Sequence, residues 1–111
     1  SGTRQAAEAF FAAHGVALRP RLELGSNEAV RQAVAGGLGL SVISAHALAH
    51  AAGEGLAVLR VSGTPIETQW QVVHPRGKHL TPLADAFLRF LQQRAPALND
   101  AAQARLAAAR A

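Results

Sequence analysis

The sequence predicts an α/β fold. Three observations carry that expectation. Three stretches show an apolar face at helical spacing, other apolar runs are too short for helices, and the two kinds alternate along the chain. Over residues 19–43 the order strand, helix, strand reads as a βαβ unit. Such a unit implies parallel strands joined by a right-handed crossover.

A first helix is expected over residues 3–14, where Ala7, Phe10, Phe11 and His14 fall at i, i+3, i+4 and i+7. Gly15 follows as the residue that ends it, because glycine takes the left-handed conformation without a Cβ clash. Ser1 and Thr3 are candidate N-caps. A half-buried strand is expected over 19–25, where Leu22 and Leu24 alternate with Arg21 and Glu23. Ser26 and Asn27 then open a second helix, with Glu28 suited to its positive end. Ala29, Val30, Ala33 and Val34 form its apolar face, and Gly36 with Gly37 stops it. Residues 38–43 are nearly all apolar, which fits a strand covered on both faces. A short helix over 44–50 and a turn over 53–55 follow.

Further strands are expected over 56–61 and 66–74, separated by Ser62, Gly63, Thr64 and Pro65. In the second, Ile66, Thr68, Trp70 and Val72 share one side. Residues 80–94 give the clearest helix. Leu80, Leu83, Ala84, Phe87, Leu88 and Leu91 keep one face, and Thr81 precedes Pro82 at its first turn. Pro96 is expected to interrupt it. Residues 99–111 carry one large apolar side chain, Leu106, and read as a marginal helix or a frayed tail.

The composition removes several function classes. A chain of 111 residues holds one ordinary domain at most. With 50% hydrophobic and 16% charged residues it is too apolar for intrinsic disorder. No apolar window is long enough to cross a membrane. The first residues lack a charged segment followed by an apolar one, so no secretion signal is expected there. The absence of cysteine excludes disulfides, cysteine–zinc sites, iron–sulfur ligation and thiol chemistry. The formal net charge of +4 comes almost wholly from arginine, and the bases are spread from Arg4 to Arg110. Without clustering or interleaved aromatics this is a solvated surface and no nucleic-acid footprint.

Catalytic motifs are missing. His46 and His50 share i, i+4 spacing, but Ala47 stands where a zinc protease needs glutamate. They read as helix-surface histidines. Residues 25–29 lack the second glycine of a nucleophile elbow. Residues 37–42 lack the third glycine of a dinucleotide fingerprint and precede a strand where they should follow one. Asp85 and Asp100 are the two aspartates, and neither has an acidic neighbour at helical spacing. No enzyme activity, metal or cofactor is therefore expected.

Two binding features remain. Ser1, Gly2 and Thr3 stand at one helix start, and Gly25, Ser26 and Asn27 at the next. Free N–H groups and partial positive charge at helix starts attract anions. Ordinary capping explains the same residues, and both readings stay open.

Several segments resemble a known family. These are SGTRQ over 1–5, Phe10 with Phe11, LGSNEAVRQAVAGGLGLSVI over 24–43, LAVL over 56–59, Pro65 with Ile66, WQVVHP over 70–75 and the helix over 83–91. Together they resemble the effector-binding domain of LysR-type transcriptional regulators, in particular the subgroup controlling carbon-fixation (RuBisCO) operons. The resemblance covers roughly residues 1–95. It implies a type II periplasmic-binding-protein-like fold, with an effector held between two α/β subdomains. Residues 1–62 would be most of the second subdomain, residues 66–95 the returning strand and helix of the first, and residues 96–111 an alanine- and arginine-rich tail.

The resemblance further implies a cytoplasmic bacterial regulator that works as a dimer or tetramer. It would bind a small-molecule effector, reach DNA only through an N-terminal winged helix-turn-helix outside these residues, and have no membrane partner. It assigns effector contacts to Ser1, Gly2 and Thr3, to Ser26 and Asn27, and to Thr64, Pro65 and Ile66 at the hinge crossing. An unpaired strand over 66–74 and an uncovered stripe on the helix over 80–94 would favour a homodimer or exchange of segments between copies. The competing readings are an enzyme on a related two-lobed scaffold and a periplasmic solute-binding protein. The residues ahead of Ser1 would separate all three.

Overall fold

Several starts and stops of the helices follow from single residues. The computed structural model describes residues 2–48 and 52–110. Among them stand α1 (Gly2–Ala13), α2 (Asn27–Ala35) and α3 (Pro82–Ala109). Two short 3-10 turns, Ala45–Ala47 and Ala52–Glu54, lie between α2 and α3. Gly15 ends α1 at φ 72°. Its N–H reaches the Ala12 carbonyl at 3.0 Å, and the Val16 N–H reaches Phe11 at 2.8 Å. Gly37 ends α2 in the same way at φ 86°, with Gly37 bonding to Val34 at 2.9 Å and Leu38 to Ala33 at 3.0 Å. Both are Schellman stops, which need a left-handed residue that glycine supplies without strain. Thr81 caps α3 through its hydroxyl, which accepts the Ala84 N–H at 3.1 Å, with Pro82 in the first turn.

The expected sheet does not form. Among the described residues there is no strand, and one isolated parallel bridge joins Val58 to Arg110. The runs over 19–25, 38–43, 56–61 and 66–74 are therefore not strands, and the βαβ unit they implied is absent. The α/β class and the type II periplasmic-binding-protein-like architecture are corrected accordingly: the described structure is helical. The reason is pairing. Alternation marks an apolar face, but a strand persists only when a neighbour supplies ladder hydrogen bonds and a layer covers the face. Here Leu22 is 58% exposed, Leu40 84% and Trp70 91%. The expected helix over 44–50 shrinks to the turn Ala45–Ala47, capped by Ser44; Ala49 and His50 lie outside the described residues.

The tail also differs from expectation. Pro96 lies inside α3, which runs on as one helix of 28 residues. Proline removes one backbone bond and crowds the preceding turn, yet the helix continues because its far end is docked. Ala102, Leu106 and Ala109 sit at i, i+4 and i+7 and are its buried residues. Leu106 and Ala109 form a cluster with Leu48, against which Ile43, Ala45, Leu56 and Val58 pack. The Val58 N–H donates to the Ala109 carbonyl at 2.7 Å. Two arginines close the arrangement. Arg31 of α2 donates to the Ala47 carbonyl at 2.6 Å, and Arg105 of α3 to the His46 carbonyl at 3.1 Å. A 3-10 turn leaves its last carbonyls without intrahelical partners, and these guanidinium groups satisfy them. The cluster is small for the chain. The Cα radius of gyration is 16.9 Å, against about 13 Å for a compact chain of this length.

Two consequences can be measured on the 111-residue chain. Leu106→Ala, at an 8% exposed position, should cost about 2–4 kcal/mol in urea denaturation. Leu98→Ala, at a 50% exposed position, should cost about 0.5 kcal/mol or less. Equal effects would contradict the assigned core. Pro96→Ala should stabilise by roughly 1–3 kcal/mol while leaving the far-ultraviolet helix signal nearly unchanged. A large gain in helix content would mean that α3 is broken at Pro96.

Candidate functional site

The two helix starts singled out by the sequence behave differently. Ser26 is the N-cap of α2, and its hydroxyl accepts the Ala29 N–H at 3.1 Å. Asn27 is the first helical residue and Glu28 stands beside it in the same turn. Gly2 and Thr3 form the first turn of α1 and are exposed. Ser1 lies outside the described residues. No described hydrogen bond occupies the Thr3 hydroxyl, whereas that of Ser26 already serves its own helix.

An ion pair draws these two starts toward one another. Arg4, next to Thr3, bonds Glu8 one turn along α1 at 2.9 Å and also contacts Glu23, which lies just ahead of Gly25. The hydrogen bond with Glu8, then that with Glu23, holds the Arg4 guanidinium above its ordinary pKa. All three side chains are at least half exposed, so the link orients the segments more than it stabilises them.

The third expected segment is elsewhere. Thr64 donates its hydroxyl to the Val61 carbonyl at 2.5 Å, and its N–H to the same oxygen at 3.1 Å. The Thr64–Pro65 peptide is cis, and Ile66 is half-buried. Gly63 lies so close to Phe10 that an added Cβ would come within 2.9 Å of its ring. Phe10 is about 10 Å along α1 from Thr3, at 1.5 Å rise per residue. Thr64, Pro65 and Ile66 thus adjoin the far end of α1, and no described contact joins them to Thr3, Ser26 or Asn27.

A hollow of about 290 Å³ opens beside α2, lined by Glu28, Gln32, Ala35 and Glu54. The Glu54 carboxylate stands 3.1 Å from Arg31 Nε, out of line for a hydrogen bond. Two carboxylates on its wall make it a poor seat for an anion. Chemically, then, the arrangement offers donors and small hydroxyls but no nucleophile paired with a base. No group of three metal-ligating side chains occurs among the described residues. No described helix is long and apolar enough to cross a membrane. Sequence reasoning missed Arg31 and Arg105, whose carbonyl partners are 16 and 59 residues away. Local spacing holds no signal for such contacts.

Comparison with known proteins fits a binding role. A family model described as the LysR substrate binding domain matches residues 1–96. The RuBisCO operon transcriptional regulator of Acidithiobacillus ferrooxidans is 53% identical over 92 residues, covering 82% of this chain and 30% of the relative. The RuBisCO operon transcriptional regulator of Allochromatium vinosum is 44% identical over 100 residues, covering 89% and 33%. The HTH-type transcriptional activator CmpR of Synechocystis is 42% identical over 92 residues, covering 82% and 30%. The chain spans about a third of the length of these relatives. No solved structure matches. With nearly all of its length under that one family model, this chain belongs to the LysR substrate binding domain family.

Proposed function

We propose that this chain is the effector-sensing part of a bacterial LysR-type transcriptional regulator. It acts in the cytoplasm on a RuBisCO operon, as its named relatives suggest, and takes a small anionic metabolite. In the whole protein, DNA is read by a separate N-terminal domain. Residues 1–62 and 66–95 make up the sensing unit, and 96–111 is an appended tail. The effector meets Ser1, Gly2 and Thr3 at one helix start and Ser26 and Asn27 at the next, with Thr64, Pro65 and Ile66 on the crossing that moves when it binds. Binding works by favouring one of two arrangements of the unit.

The observation that carries this reading is the Arg4–Glu23 contact. It ties the first turn of α1 to the loop that enters α2, and the first turns of helices suit an anion. An enzyme on a similar scaffold is not favoured, because the relatives are regulators and the site lacks an acid–base pair.

The regulator works as an oligomer, and in this chain a second copy covers the exposed apolar face. Trp70, Val72 and Val73 on one segment and Leu83, Phe87 and Phe90 on α3 are all more than half exposed. Faces of that kind associate.

Two measurements follow. A thermal-shift screen of the full-length protein against small phosphates and carboxylates should find an anion that raises its melting temperature. Thr3→Val should weaken that binding by roughly 1–3 kcal/mol. Absence of any stabilising anion rejects the site, and unchanged affinity in the variant rejects Thr3. In sedimentation the 111-residue chain should run as a dimer, and the double variant Leu83→Glu, Phe87→Glu as a monomer. A monomeric parent chain rejects the covered face.

A further inference from the structure

The family match ends at residue 96, yet Ala102, Leu106 and Ala109, which belong to the best-buried part of α3, lie beyond it. Three independent contacts tie this segment down. Leu106 packs on Leu48, Arg105 holds the His46 carbonyl, and the Ala109 carbonyl accepts the Val58 N–H. All three partners fall between residues 43 and 58. None of them involves α1.

We propose that residues 97–110 form a detachable strap. Docked, the strap fixes the turn Ala45–Ala47 and covers the apolar side chains of Ile43, Leu56 and Val58. Released, it uncovers that face and frees the turn. Pro96 sets the joint, because its missing N–H leaves the Gln92 carbonyl without its usual helical partner. The alanine-rich segment beyond it has little intrinsic reason to stay helical once undocked.

The strap also reaches α2. Arg31 grips the Ala47 carbonyl, one residue from the carbonyl that Arg105 grips. Loosening the turn therefore loosens Arg31 and the helix that begins at Ser26. The regulatory consequence, a change in effector binding, rests on the function proposed above. The strap itself does not, and its test needs no effector.

The test is amide hydrogen exchange on the full-length protein, read on peptides covering 3–13, 27–35, 43–48 and 56–60. Leu106→Asp should speed exchange over 43–48 and 56–60 by about tenfold or more and leave 3–13 as in the parent. Arg105→Gln should speed 43–48 by a smaller factor while keeping α3 helical. Leu98→Asp, which places the same charge on the exposed side of the segment, should match the parent. Unchanged exchange over 43–48 and 56–60 in Leu106→Asp overturns the proposal. Equal acceleration over 3–13 overturns it as well, because the segment would then belong to one cooperative core.

Discussion

The tightly held part of this structure depends on the seating of the last turns of α3 on the turn Ala45–Ala47. Burial of Leu106 and Ala109 against Leu48 supplies the apolar gain. The gain alone would not fix the register, since alanine-rich helix surfaces slide easily. Arg31 and Arg105 fix it. Each carries a charged donor to a carbonyl that the short turn leaves unpaired. Charge-assisted bonds to neutral acceptors are directional and stronger than neutral pairs. The cluster therefore gains energy from packing and specificity from the two guanidinium groups.

This arrangement explains the division of the chain into a held part and an open part. Residues 43–48, Leu56, Val58, α2 and the end of α3 are mutually tied. By contrast, α1 is linked through Arg4 to Glu23 and through Phe10 to Gly63. The ion pair is a surface contact that contributes little on its own, and α1 buries Ala7 alone among its residues. A sensing unit benefits from such an uneven distribution of stability. Loops that change on binding come from the weakly held part, and their motion is resisted by the strongly held one. The first turn of α1 and the loop into α2 stand where the two parts meet.

The starts of α2 and α3 and the stops of α1 and α2 were legible in the sequence because each depends on one or two neighbouring residues. Gly15, Gly37, Ser26, Thr81 and Pro82 act where the local chain alone would put them. The site was legible to the same depth. Spacing identified Thr3, Ser26 and Asn27 as helix-start residues, but it could not say that Ser26 spends its hydroxyl on Ala29 or that Thr64 lies at the other end of α1. The expected strands failed for a different reason. The alternation at Leu22 and Leu24, or Trp70 and Val72, records which side is apolar. Whether another run lies alongside at ladder distance is a property of the whole chain.

The tail shows the same limit from the opposite side. By composition the segment after Pro96 reads as frayed, since alanine and arginine offer little to bury and proline breaks the bond ladder. Its one large apolar residue, together with Ala102 and Ala109 at helical spacing, was nevertheless the stripe that docks. The sequence by itself determined the family, the starts of α2 and α3, the stops of α1 and α2 and the absence of thiol chemistry, because these follow from residue identity over short distances. Tertiary structure alone decided that residues 97–109 are helical, that Arg31 and Arg105 cap one turn, and that the described residues form no sheet. Each of those outcomes depends on contacts between residues far apart in the chain, whose free energy no local window contains.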